Sequence, residues 1–112
     1  FYTYAAGVAG MAELLRAAPD IDGVFAASDA VAAGALEALR GAGRRVPDDI
    51  GVVGFDDSTW ALRAQPALST VRQPAGQLGA RAAELVLDQV RSGGRPADGA
   101  LLATEVVWRD SA

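Results

Sequence analysis

Between Ala5 and Ala17, apolar side chains return at Val8, Met11, Leu15 and Ala18, spacings of three and four that gather them on one side of a helix. Thr3 stands just before that run and offers a hydroxyl to the backbone N–H groups of the first turn. After "PDID" the period changes. "GVFAAS" (Gly23–Ser28) is a short apolar run without alternation, the pattern of a strand covered on both faces. A second helix is predicted over Ala30–Arg40, with Val31, Ala35, Leu36 and Leu39 on one side, Asp29 as its cap and "GAGRR" as its glycine-rich end. "IGVVGF" (Ile50–Phe55) reads as a second buried strand. "DDSTWALRAQPAL" reads as loop with one helical turn around Thr59–Arg63, and "STVRQ" as a third extended piece. Pro74 introduces a long helix, Ala75–Arg91, whose apolar stripe runs through Leu78, Ala82, Leu85, Val86 and Val90. "SGGRPADG" is a loop, and "ALLATEVVWRD" is a last strand with a break near Thr104.

Helix and strand alternate, which defines an α/β class with a small, mainly parallel sheet flanked by helices. Three or four strands make a modest sheet, and a parallel sheet needs helices on both faces, so cover is expected to run short. The chain has 112 residues, the size of one domain, and 51% of them are apolar, enough to bury a core. No apolar run reaches the roughly 20 residues of a membrane helix. The start, "FYTYAAGVAG", has neither a signal-peptide pattern nor an initiator Met, and the chain is expected to begin inside a longer protein.

Composition then narrows the chemistry. There is no Cys and no His, which removes disulfides, thiolate metal sites, and the commonest general base and zinc ligand. A net charge of −4 argues against this segment wrapping a nucleic-acid backbone.

The carboxylates of "VPDDIGVVGFDD" (Val46–Asp57) carry the remaining chemical interest. Open α/β sheets bind ligands outside the carboxyl ends of their strands, and two predicted strands end there in polar residues: Ser28 with Asp29, and Asp56 with Asp57. A carboxylate at such an end can accept hydrogen bonds from adjacent hydroxyls of a sugar. That role is assigned to Asp56, and helix or turn capping to Asp29 and Asp57. Other readings fail. "GVVGFD" has its glycines misplaced for a dinucleotide loop, and Asp20 and Asp22 lack the rest of a calcium loop. The neighbouring pairs Asp48/Asp49 and Asp56/Asp57 point to opposite faces of an extended chain, so neither converges on one bond. Ser28 and Ser69 have no His partner. The pattern is that of a site that holds a molecule, and no enzyme activity and no cofactor are expected.

"FAASDAVAAGALEALRGAGRRVPDDIGVVGFDD", followed by "PALSTVRQPAGQLGARAAELVL" and "TEVVWRDS", resembles the C-terminal part of the LacI/GalR family of bacterial transcriptional repressors, over nearly the whole chain. The resemblance implies a periplasmic-binding-protein-like sensor fold of two subdomains with a small-molecule effector, a sugar, clamped between them. It implies a cytoplasmic homodimer or higher homo-oligomer without membrane contact. Operator DNA would be bound by an N-terminal helix-turn-helix that this sequence does not contain, and the first sensor subdomain and the opening strands of the second would also lie upstream. The helices near residues 5–17 and 30–40 would lie at the dimer interface, and the helix after Pro74 would pack on the first subdomain.

Position by position, Asp56 matches the carboxylate that bonds effector hydroxyls. Ser28 stands where many relatives have Asn, a second polar ligand contact, and its hydroxyl is shorter than the amide and has fewer donors. Gln73 matches a residue at the cleft hinge. Tyr2 falls where relatives often place an aromatic against the sugar face, and Phe1, adjacent to it, is the substitute. Each has a plainer alternative: Tyr2 and Phe1 covering the end of the sheet, and Gln73 serving only the hinge backbone. Trp60 borders the cleft or a subunit contact, or is structural. Arg44 and Arg45 belong to a solvated loop. A periplasmic sugar-binding protein of a transport system is the rival with the same fold.

Overall fold

The computed structural model describes residues 1–95 and 98–112. It comprises two units, one formed by Phe1–Arg72 with Glu105–Ala112 and the other by Gln73–Thr104.

The first unit opens with α1 (Tyr4–Ala17), whose N-cap is Thr3: its hydroxyl accepts from the Ala6 N–H at 3.1 Å. Helix α2 (Asp29–Gly41) follows the short strand β1 (Gly23–Phe25). The two helices pack through glycine. A Cβ on Gly7 would fall on the Val31 carbonyl oxygen, and one on Gly34 on the Tyr4 carbonyl oxygen, so backbone meets backbone at this crossing. Met11 of α1 and Ala35, Leu36 and Leu39 of α2 enter the core with Ile50, Val52 and Leu68. The apolar periodicity thus located both buried faces.

Strand β2 (Gly51–Asp56) is central, β3 (Ser69–Arg72) lies beside it, and β4 (Glu105–Val107) closes the sheet; the five-residue helix α3 (Thr59–Arg63) precedes β3. The order is β1-β2-β3-β4. β1 and β3 run parallel to β2, and β4 runs antiparallel to β3, pairing Thr70 with Val107 and Arg72 with Glu105. Within β2, Val52 and Gly54 are buried while Val53 and Phe55 are only half-covered. The expected two-sided cover of the first strand is not found: β1 is an edge strand, and Phe25 remains 64% exposed even though its ring meets Phe55 edge-on.

The last strand is shorter than expected. Only three residues of the 100–110 stretch join the sheet, because the chain beyond Val107 makes different bonds. The Arg109 N–H donates to the Ser69 hydroxyl at 2.8 Å. The fully buried Ser111 hydroxyl accepts from the Ser69 N–H and donates to the Val52 carbonyl at 2.6 Å. The end of the chain is therefore a polar plug bridging the starts of β2 and β3.

In the second unit, α4 (Ala75–Arg91) has the bounds that the stripe after Pro74 indicates. No residue of it is buried; Leu78, Val86 and Val90 are exposed and Leu85 is half-covered. Of the expected loop over residues 92–99, residues 96 and 97 lie outside the described residues.

Candidate effector site

Asp56 is the last residue of β2 and is exposed, at the carboxyl edge of the sheet. Its backbone is unusual, with φ of 106°, and Asp57 follows with φ of 56°. Two successive side-chain-bearing residues in the left-handed region store strain of about 1–3 kcal/mol each. Because both residues turn, the two carboxylates do not simply alternate across an extended strand.

Beneath the turn lies Asp29, 1% exposed. It was expected to cap α2, but that cap is Ser28, whose hydroxyl accepts from the Val31 N–H at 3.3 Å. Asp29 is instead the first helical residue, and its carboxylate turns toward the sheet. One oxygen accepts from the Ser58 N–H at 2.6 Å and the Ser58 hydroxyl at 3.1 Å. The other accepts from the Thr70 hydroxyl at 2.6 Å. Gly54 makes this possible, since a Cβ there would strike the Asp29 carboxylate and Leu68. A buried carboxylate so satisfied avoids the cost of an unpaired one.

Asp57 does not cap α3 either; the residue in that position is Ser58, without a side-chain bond to the helix. The Asp57 carboxylate accepts from Arg109 Nη2 at 2.7 Å and from Arg72 Nε at 2.7 Å. Arg72 also donates to Glu105 at 3.0 Å, and Arg109 to the Leu68 carbonyl at 2.9 Å. Burial by itself pushes the Asp57 carboxyl up. The hydrogen bonds from Arg109 and Arg72, with their charges, outweigh that and hold it below its ordinary value. Asp49, by contrast, sits in a solvent-facing turn. There, hydrogen bonds from the Arg45 side chain and backbone lower its carboxyl to about 2, outweighing a small opposing effect of burial. It takes no part in the site.

Of the residues singled out in the sequence, Asp56 ends β2 and Ser28 follows β1, both at the carboxyl edge of the first unit's sheet, Ser28 buried and Asp56 exposed. Phe1 and Tyr2 precede α1 and are exposed. Gln73, half-buried, opens the second unit, and its carbonyl accepts from the Ala75 N–H at 2.9 Å. Trp60 stacks on Tyr4 with ring centroids 5.7 Å apart. Together they line an open pocket of about 490 Å³ with Leu36, Arg40 and Gln65, a pocket to which neither Asp56 nor Ser28 contributes. Sequence reasoning missed Thr70, Arg72 and Arg109 as organisers of the turn. Arg109 reaches Asp57 across 52 residues, and no local period records such a pairing.

Among the described residues, no group of three or more His, Cys, Asp or Glu side chains is arranged to hold a metal, and no helix is long and apolar enough to cross a membrane. A small, mainly parallel α/β sheet with Asp56 exposed at its carboxyl edge has the architecture in which ligand-binding α/β domains hold their ligands.

Comparison with known proteins agrees. The family described as the periplasmic binding protein-like domain matches residues 2–112. The chain is 46% identical over 110 residues to the HTH-type transcriptional regulator CelR of Thermobifida fusca, covering 98% of this chain and 32% of that protein. A solved CelR–cellobiose complex aligns with a TM-score of 0.92 at 45% identity, over 98% of this chain and 34% of that one. The lac repressor dimer bound to operator and the anti-inducer ONPF aligns with a TM-score of 0.85 at 28% identity, over 97% of this chain and 38% of that one. The chain belongs to the periplasmic-binding-protein-like family, in its LacI-type branch of transcriptional regulators. It spans about a third of the length of these relatives, which are regulators rather than transport proteins or enzymes.

Proposed function

We propose that this chain forms part of the effector-sensing domain of a LacI-type repressor and that its effector is a saccharide. The observation that carries this reading is the exposed Asp56 carboxylate on a left-handed turn at the carboxyl end of the central strand, in a chain closely similar to a cellobiose-bound regulator. A carboxylate there accepts charge-assisted hydrogen bonds from two ring hydroxyls at once. Ser28 supplies a hydroxyl that already accepts one bond and retains a proton to donate. Tyr2, with Phe1 next to it, supplies an aromatic face, and Gln73 an amide where the chain passes into its second unit. Operator DNA would be bound by a separate helix-turn-helix, and the regulator would act as a homodimer. A saccharide can then shift the repressor between conformations only through its differential affinity for them.

The test is calorimetric. In a hybrid repressor in which this chain replaces the matching part of CelR, cellobiose is titrated against the unaltered hybrid and Asp56→Asn. Asn replaces one acceptor oxygen with a donor and removes the charge, so affinity should fall at least about tenfold, the equivalent of one charge-assisted hydrogen bond. Equal affinity in the two proteins would refute the assignment of Asp56.

A further inference from the structure

The Asp56 carboxylate can serve a ligand only if a turn with two consecutive left-handed residues keeps its shape. The two backbone N–H groups that follow Asp56 are both held. The Ser58 N–H donates directly to Asp29 at 2.6 Å. The Asp57 N–H donates to the Thr70 hydroxyl at 3.3 Å, and that hydroxyl donates its own proton to Asp29 at 2.6 Å. One buried carboxylate therefore governs both bonds, the first directly and the second through Thr70. It reaches the turn because Gly54 leaves the space open.

We propose that Asp29 is a positioning residue of the effector site: it touches no ligand, and it fixes the Asp56 carboxylate by orienting Ser58 and Thr70 around the turn. This rests on Asp56 being an effector contact. An apolar side chain at the start of α2 would leave the Ser58 N–H and the Thr70 hydroxyl without their acceptor, so the donors this carboxylate serves are those that hold the turn. Both Asp29 oxygens accept hydrogen bonds from the turn or from Thr70, the residue that holds it. The Thr70 hydroxyl is oriented in turn. With Asp29 taking its proton, its lone pairs face the Asp57 N–H; without that acceptor the hydroxyl is free to rotate and the bond to Asp57 is lost.

The experiment has two arms. In the chain itself, NMR backbone couplings and chemical shifts report whether Asp56 and Asp57 keep positive φ. In the hybrid repressor, calorimetry reads the cellobiose Kd. Thr70→Val removes the hydroxyl at nearly constant volume and should release the left-handed turn and weaken cellobiose about tenfold. Thr70→Ser keeps the hydroxyl and should stay within about twofold of the unaltered protein. Asp29→Asn should resemble Thr70→Val in direction, because its amide cannot accept from Thr70 while its oxygen serves Ser58. Leu39→Ala, a core truncation away from the turn, should lower the melting temperature and leave the Kd within about twofold, which separates positioning from general loss of stability. Unchanged turn geometry and unchanged Kd in Thr70→Val and Asp29→Asn would overturn the proposal. If these variants alter the turn while Asp56→Asn leaves cellobiose affinity intact, the positioning of the turn stands and its link to effector binding falls.

Discussion

Asp57 is held by two arginines that differ in exposure. The Arg109 side chain is 17% exposed and the Arg72 side chain 47%, against 10% for Asp57 itself, so the Arg109 pair is the less screened by water. Arg109→Met keeps most of the packing volume and leaves a mostly buried carboxylate with one solvent-facing partner. Chemical denaturation at neutral pH should register a loss of about 2–3 kcal/mol. The pH dependence has a definite sign. A carboxyl whose folded pKa is depressed stabilises the fold above its unfolded pKa, about 3.9, and that contribution disappears as pH falls through the lower folded value. Between neutral pH and about pH 5 this group should therefore give a flat profile, with the loss setting in below that as the unfolded carboxyl begins to protonate, and Arg109→Met should flatten the loss. Asp56 and Asp57 are the same residue type side by side, and the sequence separates them by sheet topology, capping preference and likeness to relatives. The partners of Asp57 come from far along the chain: Arg72 and Arg109 approach it from 15 and 52 residues away.

At the scale of elements, the crossing of α1 and α2 depends on having no side chain at Gly7 and Gly34. Gly34→Ala would drive a methyl into the Tyr4 carbonyl and the Val8 N–H, both backbone groups that cannot rotate away. It should cost at least about 2 kcal/mol by forcing the helices apart. Gly10→Ala, also within α1, meets nothing within 4 Å and should raise stability by up to about 1 kcal/mol, the helix-propensity gain of Ala over Gly. Thermal melts of the two variants give opposite shifts if the crossing is as described. Helices were the legible part of this sequence, because α1, α2 and α4 carry a 3.6-residue apolar period and recognisable flanks such as Thr3 and Pro74. Strands were less so. "GVFAAS" has the apolar run of a buried strand, yet among the described residues β1 pairs on one side only and Phe25 stays exposed. Ser111, alone and polar near the end of the chain, gave no sign that it would be among the most buried residues.

For the whole molecule, the homodimer proposed for the regulator would place the helices near residues 5–17 and 30–40 at its interface, and the exposed Tyr4–Trp60 stack lies beside them. Trp60→Glu would remove the aromatic stack with Tyr4 and add a charge beside Glu37, and should shift light scattering at tens of micromolar from dimer toward monomer. A monomer in the unaltered protein would speak against the dimer. The reading as a sensor depends on something narrower, one carboxylate meeting a sugar. The most direct test is a crystal structure of the hybrid repressor with cellobiose bound. The expected result is both Asp56 oxygens about 2.5–3.0 Å from neighbouring ring hydroxyls, with the turn through Asp57 unchanged. A complex in which cellobiose is bound while Asp56 faces solvent, or is paired within the protein, would contradict it.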